Sequence, residues 1–482
     1  MSYHSRRHTF NKVSLLHAMA ITSTIVTSFA CAQAPASTVT PSAQAPSKQD
    51  TSTAPAPAPA FKIQLAPVAI TNPFTWTKEA FDAAADYSAA YSGRALLVMR
   101  DGEVLYERYD NGWSATKPHA LASGTKSFTG IMAMMAVQDE LLSLDELASD
   151  TITEWKADPR KNKITLRHLL TLSSGLEPSD ALLGGRGGSR TLGEGAAQRT
   201  KRLGNENAPP PNDLFLAAIA VPSKHDADAV FEYGPSHFYA FGEVLERKLE
   251  AADQPQKSVM EYLQQRIFDD LNIKAAHIGR DRVGHPKLPG GAMLTARDWA
   301  TFGQFILDQG KVRTKNTSGE TLFVEKLRPD LLAQCFVASP KNASYGLTWW
   351  LNLDAEASLI NSGVTSVATA DGDGPAAADT SKEKKDDNIP DKTREATRAK
   401  MRERTLEIRR ERDVEAMGGD PDQARITIYM AAGLGKQRLY VLPEYNIVIV
   451  RFAEATNKGR QYSDAQFLGK ALGKVPANDV TK

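Results

Sequence analysis

The chain has 482 residues and carries 58 Lys and Arg against 57 Asp and Glu, which gives a formal net charge of +1. This balance argues against a nucleic-acid surface as its main function, because nucleic-acid-binding domains are usually strongly basic. Its two cysteines, Cys31 and Cys335, exclude a disulfide scaffold and a Cys-based zinc site.

The N-terminus is predicted to be a signal peptide over residues 1–32. Arg6 and Arg7 precede a mildly apolar stretch at 13–30, and Cys31 lies among the small residues typical of a cleavage site. An uncleaved anchor is the alternative. The arginine pair resembles a twin-arginine signal, and lipidation of Cys31 stays open. We expect a periplasmic or extracellular protein, attached to a membrane only if Cys31 is lipidated.

Two further segments lack the composition of a folded core. Residues 33–60 are rich in Ala, Pro, Ser and Thr, which predicts an extended linker. Residues 365–423 are first rich in Gly, Ala and Asp and then densely charged, which predicts a flexible or helical insertion that is polar on every side. The remainder of 61–482 is expected to form one folded domain that this insertion interrupts.

Strand patterns occur at both ends of the folded domain. Ala95–Arg100 and Glu103–Tyr109 flank an Asp-Gly pair, which is a strong hairpin signal because both residues tolerate a positive φ. Arg438–Leu442 and Ile447–Phe452 form a second hairpin pattern, and Ser463–Leu472 is predicted to be a closing helix. Because the middle of the chain is largely helical, we expect one composite unit rather than separate domains.

One Ser-x-x-Lys pattern has a setting that suits catalysis. A serine needs a base to become a nucleophile, and a buried lysine that sheds its proton can serve. Of the three copies, Lys117 precedes a proline and Ser381 lies in the charged insertion, whereas Ser123 and Lys126 open an apolar helix. At a helix N-terminus, the Ser123 N–H is also placed to bind an oxyanion. The alternative is that Ser123 only caps the helix.

Several segments in order resemble the serine β-lactamases and penicillin-binding proteins. The resemblance is to the class C-like branch, which includes esterases, D-amino-acid peptidases and 6-aminohexanoate-dimer hydrolases. It covers roughly residues 75 to 475 except the insertion. The segments that carry it are Ala122-Ser123-Gly124-Thr125-Lys126-Ser127-Phe128, Leu142-Ser143-Leu144-Asp145, Ile164-Thr165-Leu166-Arg167-His168-Leu169-Leu170-Thr171-Leu172-Ser173-Ser174-Gly175-Leu176, Gly290-Gly291-Ala292-Met293-Leu294-Thr295-Ala296-Arg297-Asp298 and Tyr345-Gly346-Leu347-Thr348-Trp349-Trp350.

The resemblance implies an α+β fold, an antiparallel β-sheet flanked by helices with an inserted, mostly α-helical subdomain. It makes Ser123 the nucleophile and Lys126 a proton carrier. The family's tyrosine motif aligns with Tyr233, which would also move protons. Pro235 stands where Asn or Ser is usual, and the next residue, Ser236, is a candidate to replace that side chain in binding substrate.

The family's third motif, a strand beside the site, aligns with Ala431-Ala432-Gly433. The small Gly433 permits close backbone approach, and the Leu434 N–H is the implied second oxyanion donor. Ala431 stands where the family has Lys or His, a cation that helps hold the carboxylate of β-lactams and D-Ala peptides. Nearby, Lys436 is expected to be a surface lysine, with a charged role at the site as the alternative.

Other notable residues have simpler interpretations. His168 and Cys335 are expected to be structural, and His237 is a candidate for the lining of the site. The glycine-rich stretch Gly184–Gly188 predicts a loop, for which the mouth of the pocket is a candidate position, and no nucleotide site. No His, Cys or Asp pattern typical of metal binding occurs, so neither a metal nor another cofactor is expected.

The sequence therefore predicts an exported serine hydrolase that cleaves small esters or amides through an acyl-enzyme on Ser123. The missing cation at Ala431 favours an esterase or amidase over a true β-lactamase or D-Ala peptidase. A second class of alternative is a non-catalytic relative that binds peptidoglycan or a protein partner. Neither the physiological substrate nor the oligomeric state follows from the sequence.

Overall fold

The computed structural model describes residues 76–179, 182, 211–252, 255–274, 277–351 and 427–473. The predicted signal peptide, linker, charged insertion and Gly184–Gly188 loop lie outside these residues and stay predictions. Within the described ranges, the structure contains no helix that is both long enough and apolar enough to span a bilayer.

The central layer is a six-stranded antiparallel sheet with the strand order β2-β1-β11-β10-β9-β8. The two ends of the described chain meet in it, because β1 pairs with β11. Its strands are β1 (Gly93–Arg100), β2 (Glu103–Tyr109), β8 (Trp350–Leu351), β9 (Tyr429–Gly433), β10 (Gln437–Leu442) and β11 (Ile447–Ala453). This arrangement confirms the predicted antiparallel sheet.

Both predicted hairpins are present. Asp101 and Gly102 join β1 to β2 with φ of 52° and 80°, the left-handed values that made the Asp-Gly pair a hairpin signal. A 3₁₀ turn at Pro443–Tyr445 and Asn446, with φ of 51°, join β10 to β11. Backbone conformation at these turns therefore helps to set the strand register within each hairpin, β1 with β2 and β10 with β11.

Most of the described helices lie between β2 and β8 in the chain. Two small sheets accompany them: β3 (His119–Ala120), β4 (His277–Ile278) and β5 (Ala292–Leu294) form one, and β6 (Lys311–Lys315) and β7 (Thr321–Glu325) form the other. The helices are α1 (Lys78–Ala90), α2 (Lys126–Gln138), α3 (Ala148–Thr151), α4 (Leu166–Leu170), α5 (Leu214–Ala220), α6 (Ser236–Ala251), α7 (Val259–Leu263), α8 (Ala296–Leu307), α9 (Pro329–Gln334) and α10 (Asp464–Leu472).

Helices cover both faces of the six-stranded sheet. Phe452 stacks on Trp299 of α8, whereas the next residue back, Arg451, donates to Ser88 of α1. Because successive side chains of a strand point to opposite faces, α8 and α1 lie on opposite sides. The predicted closing helix is α10, whose N-terminus is capped by the Ser463 side chain. The centre of the sheet is thus buried on both faces, with β10 and β11 buried along their full lengths, whereas the edge strand β2 is half-buried or exposed.

Candidate active site

Ser123 lies in a 3₁₀ turn, Ala122–Thr125, that leads directly into α2. The first internal bond of this turn runs from the Gly124 N–H to the Leu121 carbonyl at 3.0 Å. The Ser123 N–H therefore precedes the helical hydrogen-bond ladder, in the region where backbone donors are available to a ligand. Ser123 is not the capping residue of either helix, so the alternative of a simple cap is wrong.

The turn is held in an unusual backbone conformation. Ala122 has a φ of 48°, a left-handed value that is uncommon for a residue other than glycine. The Thr125 hydroxyl donates to the Ala122 carbonyl at 2.7 Å and accepts from the Ala292 N–H at 3.1 Å. The Leu121 N–H donates to the Ala292 carbonyl at 2.9 Å. Strand β5 thus fixes the conformation that presents Ser123.

Lys126 meets Ser123 as the spacing predicts, with Lys126 Nζ 3.0 Å from Ser123 Oγ. Residues three apart eclipse one another in a 3₁₀ turn, which aligns the two side chains. Lys126 Nζ also donates to the carbonyl of Pro289 at 2.7 Å. The hydrogen bond from Lys126 Nζ to the Pro289 carbonyl orients the amine so that it also reaches Ser123 Oγ. Sequence reasoning missed Pro289, although it directly precedes one of the recognised segments.

Burial makes Lys126 a plausible base. Its side chain is only 4% exposed, and this desolvation lowers its pKa from 10.5 to about 7 because it penalises the ammonium form. The shift corresponds to roughly 5 kcal/mol. The rings of Tyr233 and Phe238 lie 4.8 and 5.4 Å from Nζ and favour the cation, but desolvated cation–π contacts supply only about 2 kcal/mol. A substantial fraction of neutral amine is therefore present near neutral pH.

Tyr233 forms an aromatic wall beside Lys126. It is 9% exposed, and its ring stacks on Trp350 with a centroid distance of 5.9 Å and an interplanar angle of 23°. Trp350 also packs edge-on against Tyr345 at 4.8 Å. The structure thus brings the predicted Tyr233 to the Ser123–Lys126 pair. Phe238 and Trp350 complete the wall and were not predicted as site residues, since aromatic residues at such positions are usually core.

The Ser236 hydroxyl is engaged with a neighbouring loop. Its Oγ donates to the Glu177 carbonyl at 2.6 Å and accepts from the Ser179 N–H at 3.2 Å. The residue is fully buried. This geometry gives Ser236 a role in fastening the loop at 177–179 to the start of α6, and its predicted contact with substrate stays a prediction.

His237 is buried and bonded through both ring nitrogens. Nε2 lies 2.8 Å from the Glu232 carbonyl, so this nitrogen carries the hydrogen, and Nδ1 accepts from the Ser174 hydroxyl at 2.8 Å. Burial, with a further contribution from Lys126, lowers its pKa to about 4. A neutral His237 therefore links the Ser174 hydroxyl to the Glu232 carbonyl, which lies just before Tyr233 in the chain.

The strand aligned with the third motif reaches the turn that carries Ser123. A Cβ built on Gly433 at the end of β9 would lie 2.0 Å from the Leu121 carbonyl oxygen and 3.1 Å from the Gly124 nitrogen. Only glycine allows this approach. Leu434 follows Gly433 directly and so lies next to this close approach, and its N–H as the second oxyanion donor stays a prediction.

The expectation that Lys436 is a surface lysine is wrong. Lys436 is 2% exposed and lies in the turn between β9 and β10 with a φ of 61°. The charge of Lys436 helps lower the pKa of Asp464, although the Arg438 guanidinium contributes more of that lowering. Ala431, which replaces the family's cation, is also fully buried.

His168 and Cys335 have the structural settings expected of them. His168 Nδ1 accepts from the Thr165 N–H at 3.2 Å, and the Thr165 hydroxyl accepts from the His168 N–H at 3.2 Å, which closes a capping box on α4. Cys335 is fully buried, and that burial raises the pKa of its thiol.

One group of side chains in the described ranges has the atoms to ligate a metal ion. Donor atoms of Asp213, Asp281 and His285 lie within 4.8 Å of one another. Both carboxylates already accept backbone N–H groups, Asp213 from Phe215 and Asp281 from Leu214. These hydrogen bonds indicate that the cluster caps the N-terminus of α5. None of its three residues belongs to the Ser123–Lys126 pair.

Among solved structures, the chain resembles a D-stereospecific amidohydrolase from Streptomyces, with 14% identity, a TM-score of 0.48 and coverage of 82% of this chain and 97% of that one. It also resembles a class C beta-lactamase from Rhodobacter sphaeroides, with 15% identity, a TM-score of 0.45 and coverage of 82% and 98%.

Among curated proteins, it is 32% identical over 173 residues to a lovastatin esterase of Penicillium rubens, and the match covers 32% of this chain and 37% of the esterase. It is 23% identical over 233 residues to the protein flp of Staphylococcus aureus, covering 45% and 42%. The chain thus spans less than half the length of these relatives. A family model described as Beta-lactamase matches residues 79–472, and the chain therefore belongs to the Beta-lactamase family of serine hydrolases.

Proposed function

We propose that this protein is an exported serine hydrolase that cleaves small esters or amides through an acyl-enzyme on Ser123. The observation that carries the proposal is the 3.0 Å contact between Lys126 Nζ and Ser123 Oγ. Burial that lowers the pKa of Lys126 to about 7 makes it a base within reach of the nucleophile.

In the acylation step, neutral Lys126 takes the hydroxyl proton while Ser123 Oγ forms a bond to the substrate carbonyl carbon. The electron pair of the C=O bond moves to oxygen, where the N–H groups of Ser123 and Leu434 bind the negative charge. When the tetrahedral intermediate collapses, the bond to the alcohol or amine breaks. The proton held by Lys126 reaches this leaving group, with Tyr233 as a proton carrier.

Deacylation repeats these steps with water. Lys126 accepts a proton from the water as its oxygen attacks the acyl carbon, and the same two N–H groups bind the second oxyanion. Collapse returns the proton to Ser123 Oγ and releases a carboxylic acid. Lys126 therefore carries a proton in both halves of the cycle, from Ser123 toward the leaving group and then from water to Ser123, and the cycle needs no cofactor.

Two features favour esters or small amides over β-lactams. Ala431 is uncharged where the family has a cation that holds a carboxylate, and it is fully buried. The similarity to a lovastatin esterase agrees with an ester substrate. Export rests on the predicted signal peptide at 1–32, and a test is whether the mature protein recovered from cells begins after residue 32.

The direct test is intact-mass labelling with a fluorophosphonate and with a penicillin. We expect the wild type to gain one fluorophosphonate adduct and the Ser123→Ala variant to gain none. An unlabelled wild type would overturn the hydrolase proposal in favour of a non-catalytic binding protein. A stable penicillin adduct would move the assignment to penicillin binding, and rapid penicillin turnover would move it to β-lactamase.

A further inference from the structure

Side chains that the proposed mechanism does not use surround the Gly433–Leu434 peptide group. This group supplies the second oxyanion donor, because its N–H belongs to Leu434 and its carbonyl to Gly433. Arg438 Nη1 donates to that Gly433 carbonyl at 3.5 Å. The same nitrogen donates to the Gln437 carbonyl at 3.1 Å. A cation therefore lies at the oxygen end of the peptide whose nitrogen end faces the reaction.

Gln437 fixes the next peptide group. Its Nε2 donates to the Leu434 carbonyl at 3.1 Å and to the Ala453 carbonyl at 2.6 Å, and its Oε1 accepts from the Ala453 N–H at 2.9 Å. The amide of this buried side chain thus ties the turn after β9 to the end of β11. The turn contains Gly435 at a φ of 80° and Lys436 at 61°, conformations that need such support.

The surroundings of the turn are rich in positive charge. Lys436 and Arg438 are each 2% exposed, and Arg451 is fully buried and donates to the Lys436 carbonyl at 2.8 Å. Asp464 pairs with Arg438 at 2.7 Å. Arg438 and Arg451 therefore each place positive charge at a backbone carbonyl in or beside this turn.

We propose that Gln437 and Arg438 are positioning residues for the oxyanion of this reaction, an inference that rests on the proposed function. Gln437 fixes the carbonyl after the Leu434 N–H, and Arg438 fixes and polarises the carbonyl before it. Both ends of the donor are thereby held before substrate arrives, so no reorganisation is needed when the oxyanion forms. Polarisation through the peptide also strengthens the N–H as a donor.

The test is Gln437→Glu, which keeps the size of the side chain and the acceptor for the Ala453 N–H but removes the donations to the Leu434 and Ala453 carbonyls. We expect kcat for a p-nitrophenyl ester to fall about 10- to 100-fold, less than the loss of a whole donor, with KM within about threefold. Affinity for phenylboronic acid, whose tetrahedral serine adduct places an oxygen between the two donors, should fall by a similar factor. Arg438→Lys is the second variant, with a smaller loss expected.

Gln304→Glu is the matched control. Gln304, on α8, is also buried, and its side chain accepts from the Gly102 N–H and donates to Asp308, both at 3.0 Å. The Gln304→Glu variant should lose unfolding free energy as Gln437→Glu does, but it should keep the wild-type kcat and boronate affinity. Unchanged kcat and boronate affinity in a folded Gln437→Glu or Arg438→Lys, or equal losses in Gln304→Glu, would overturn the inference. If the wild type itself takes no fluorophosphonate, the proposed function fails instead.

Discussion

Lys126 Nζ lies 3.0 Å from Ser123 Oγ while it donates to the Pro289 carbonyl at 2.7 Å. The lysine is held by a backbone group 163 residues away in sequence, and no carboxylate among the described residues pairs with it. A carboxylate partner would stabilise the ammonium form and raise the pKa, whereas a carbonyl accepts from either protonation state. The choice of partner keeps Lys126 available as a base.

The first prediction concerns Lys126→Arg. A guanidinium keeps the positive charge but does not deprotonate in proteins, so we expect kcat/KM for a p-nitrophenyl ester to fall at least about 100-fold. Lys117→Arg is the matched control, since Lys117 ends an equally spaced Ser-x-x-Lys pattern but is exposed. Steady-state kinetics measures both. Comparable rates for Lys126→Arg and the wild type would show that Lys126 is not the base.

The second prediction is a pH profile. Burial lowers the pKa of Lys126 to about 7, and the neutral amine is the active form. The rate should therefore rise with pH, with a midpoint near 7 in kcat/KM, which reports the free enzyme. Rates measured from pH 5 to 9 with a neutral ester check this. A profile that is flat over that range, or that is still rising at pH 9 with no midpoint near 7, would contradict it.

The hairpins, the closing helix and the Ser123–Lys126 pair were predictable because their determinants are local. An Asp-Gly pair, a serine cap and a three-residue spacing act within a few residues. Even so, the spacing predicted an α-helix at Ser123, whereas the structure has a 3₁₀ turn after an Ala122 with a φ of 48°. That conformation depends on bonds to Ala292, which no local pattern encodes.

The sequence did not predict which residues are buried by segments that are distant in the chain. A lysine is usually exposed, so Lys436 in a Gly-rich turn was expected at the surface. It is buried because α1 and α10 cover this end of the sheet, as the bonds from Arg451 to Ser88 and from Arg438 to Asp464 show. The aromatic wall beside Lys126 was not predicted either, because Phe238 and Trp350 have the sequence pattern of ordinary core residues.

The third prediction is that Gly433→Ala disrupts catalysis. The new methyl carbon would lie 2.0 Å from the Leu121 carbonyl oxygen, so the strand or the Ser123 turn must move. Overpacking of this kind costs about 1–3 kcal/mol of stability, and a shift of the donors should lower kcat/KM at least about 100-fold. Gly279→Ala is the control, because its nearest new contact is 3.6 Å away. Similar kinetics for the two variants would refute the close approach as the cause.

The fourth prediction separates two roles of Ser236. Because its hydroxyl is bonded to Glu177 and Ser179, Ser236→Ala should lower the free energy of unfolding by about 1 kcal/mol and change kcat/KM by less than about threefold. Urea unfolding and ester hydrolysis measure the two effects. A loss of ten-fold or more in kcat/KM without a change in stability would instead support the substrate contact that the family resemblance implies.

Burial of His237 near Tyr233 makes the free energy of unfolding depend on pH in the acidic range. His237 is fully buried, and its two nitrogens hold Ser174 and the backbone at Glu232, next to Tyr233. Burial lowers its pKa from 6.5 to about 4. Between these values the unfolded chain binds a proton that the folded protein does not, so the stabilisation is present above pH 6.5 and is lost as the pH falls toward 4.

The fifth prediction is that His237→Gln flattens this pH dependence. An amide can donate to Glu232 and accept from Ser174 but does not titrate, so between pH 6.5 and 4 the wild type should lose roughly 3 kcal/mol more unfolding free energy than the variant. Urea unfolding at half-unit pH intervals measures the difference. His225→Gln, at an exposed histidine, should follow the wild-type curve. Parallel curves for wild type and His237→Gln would mean that the pKa of His237 is the same in the folded and the unfolded protein.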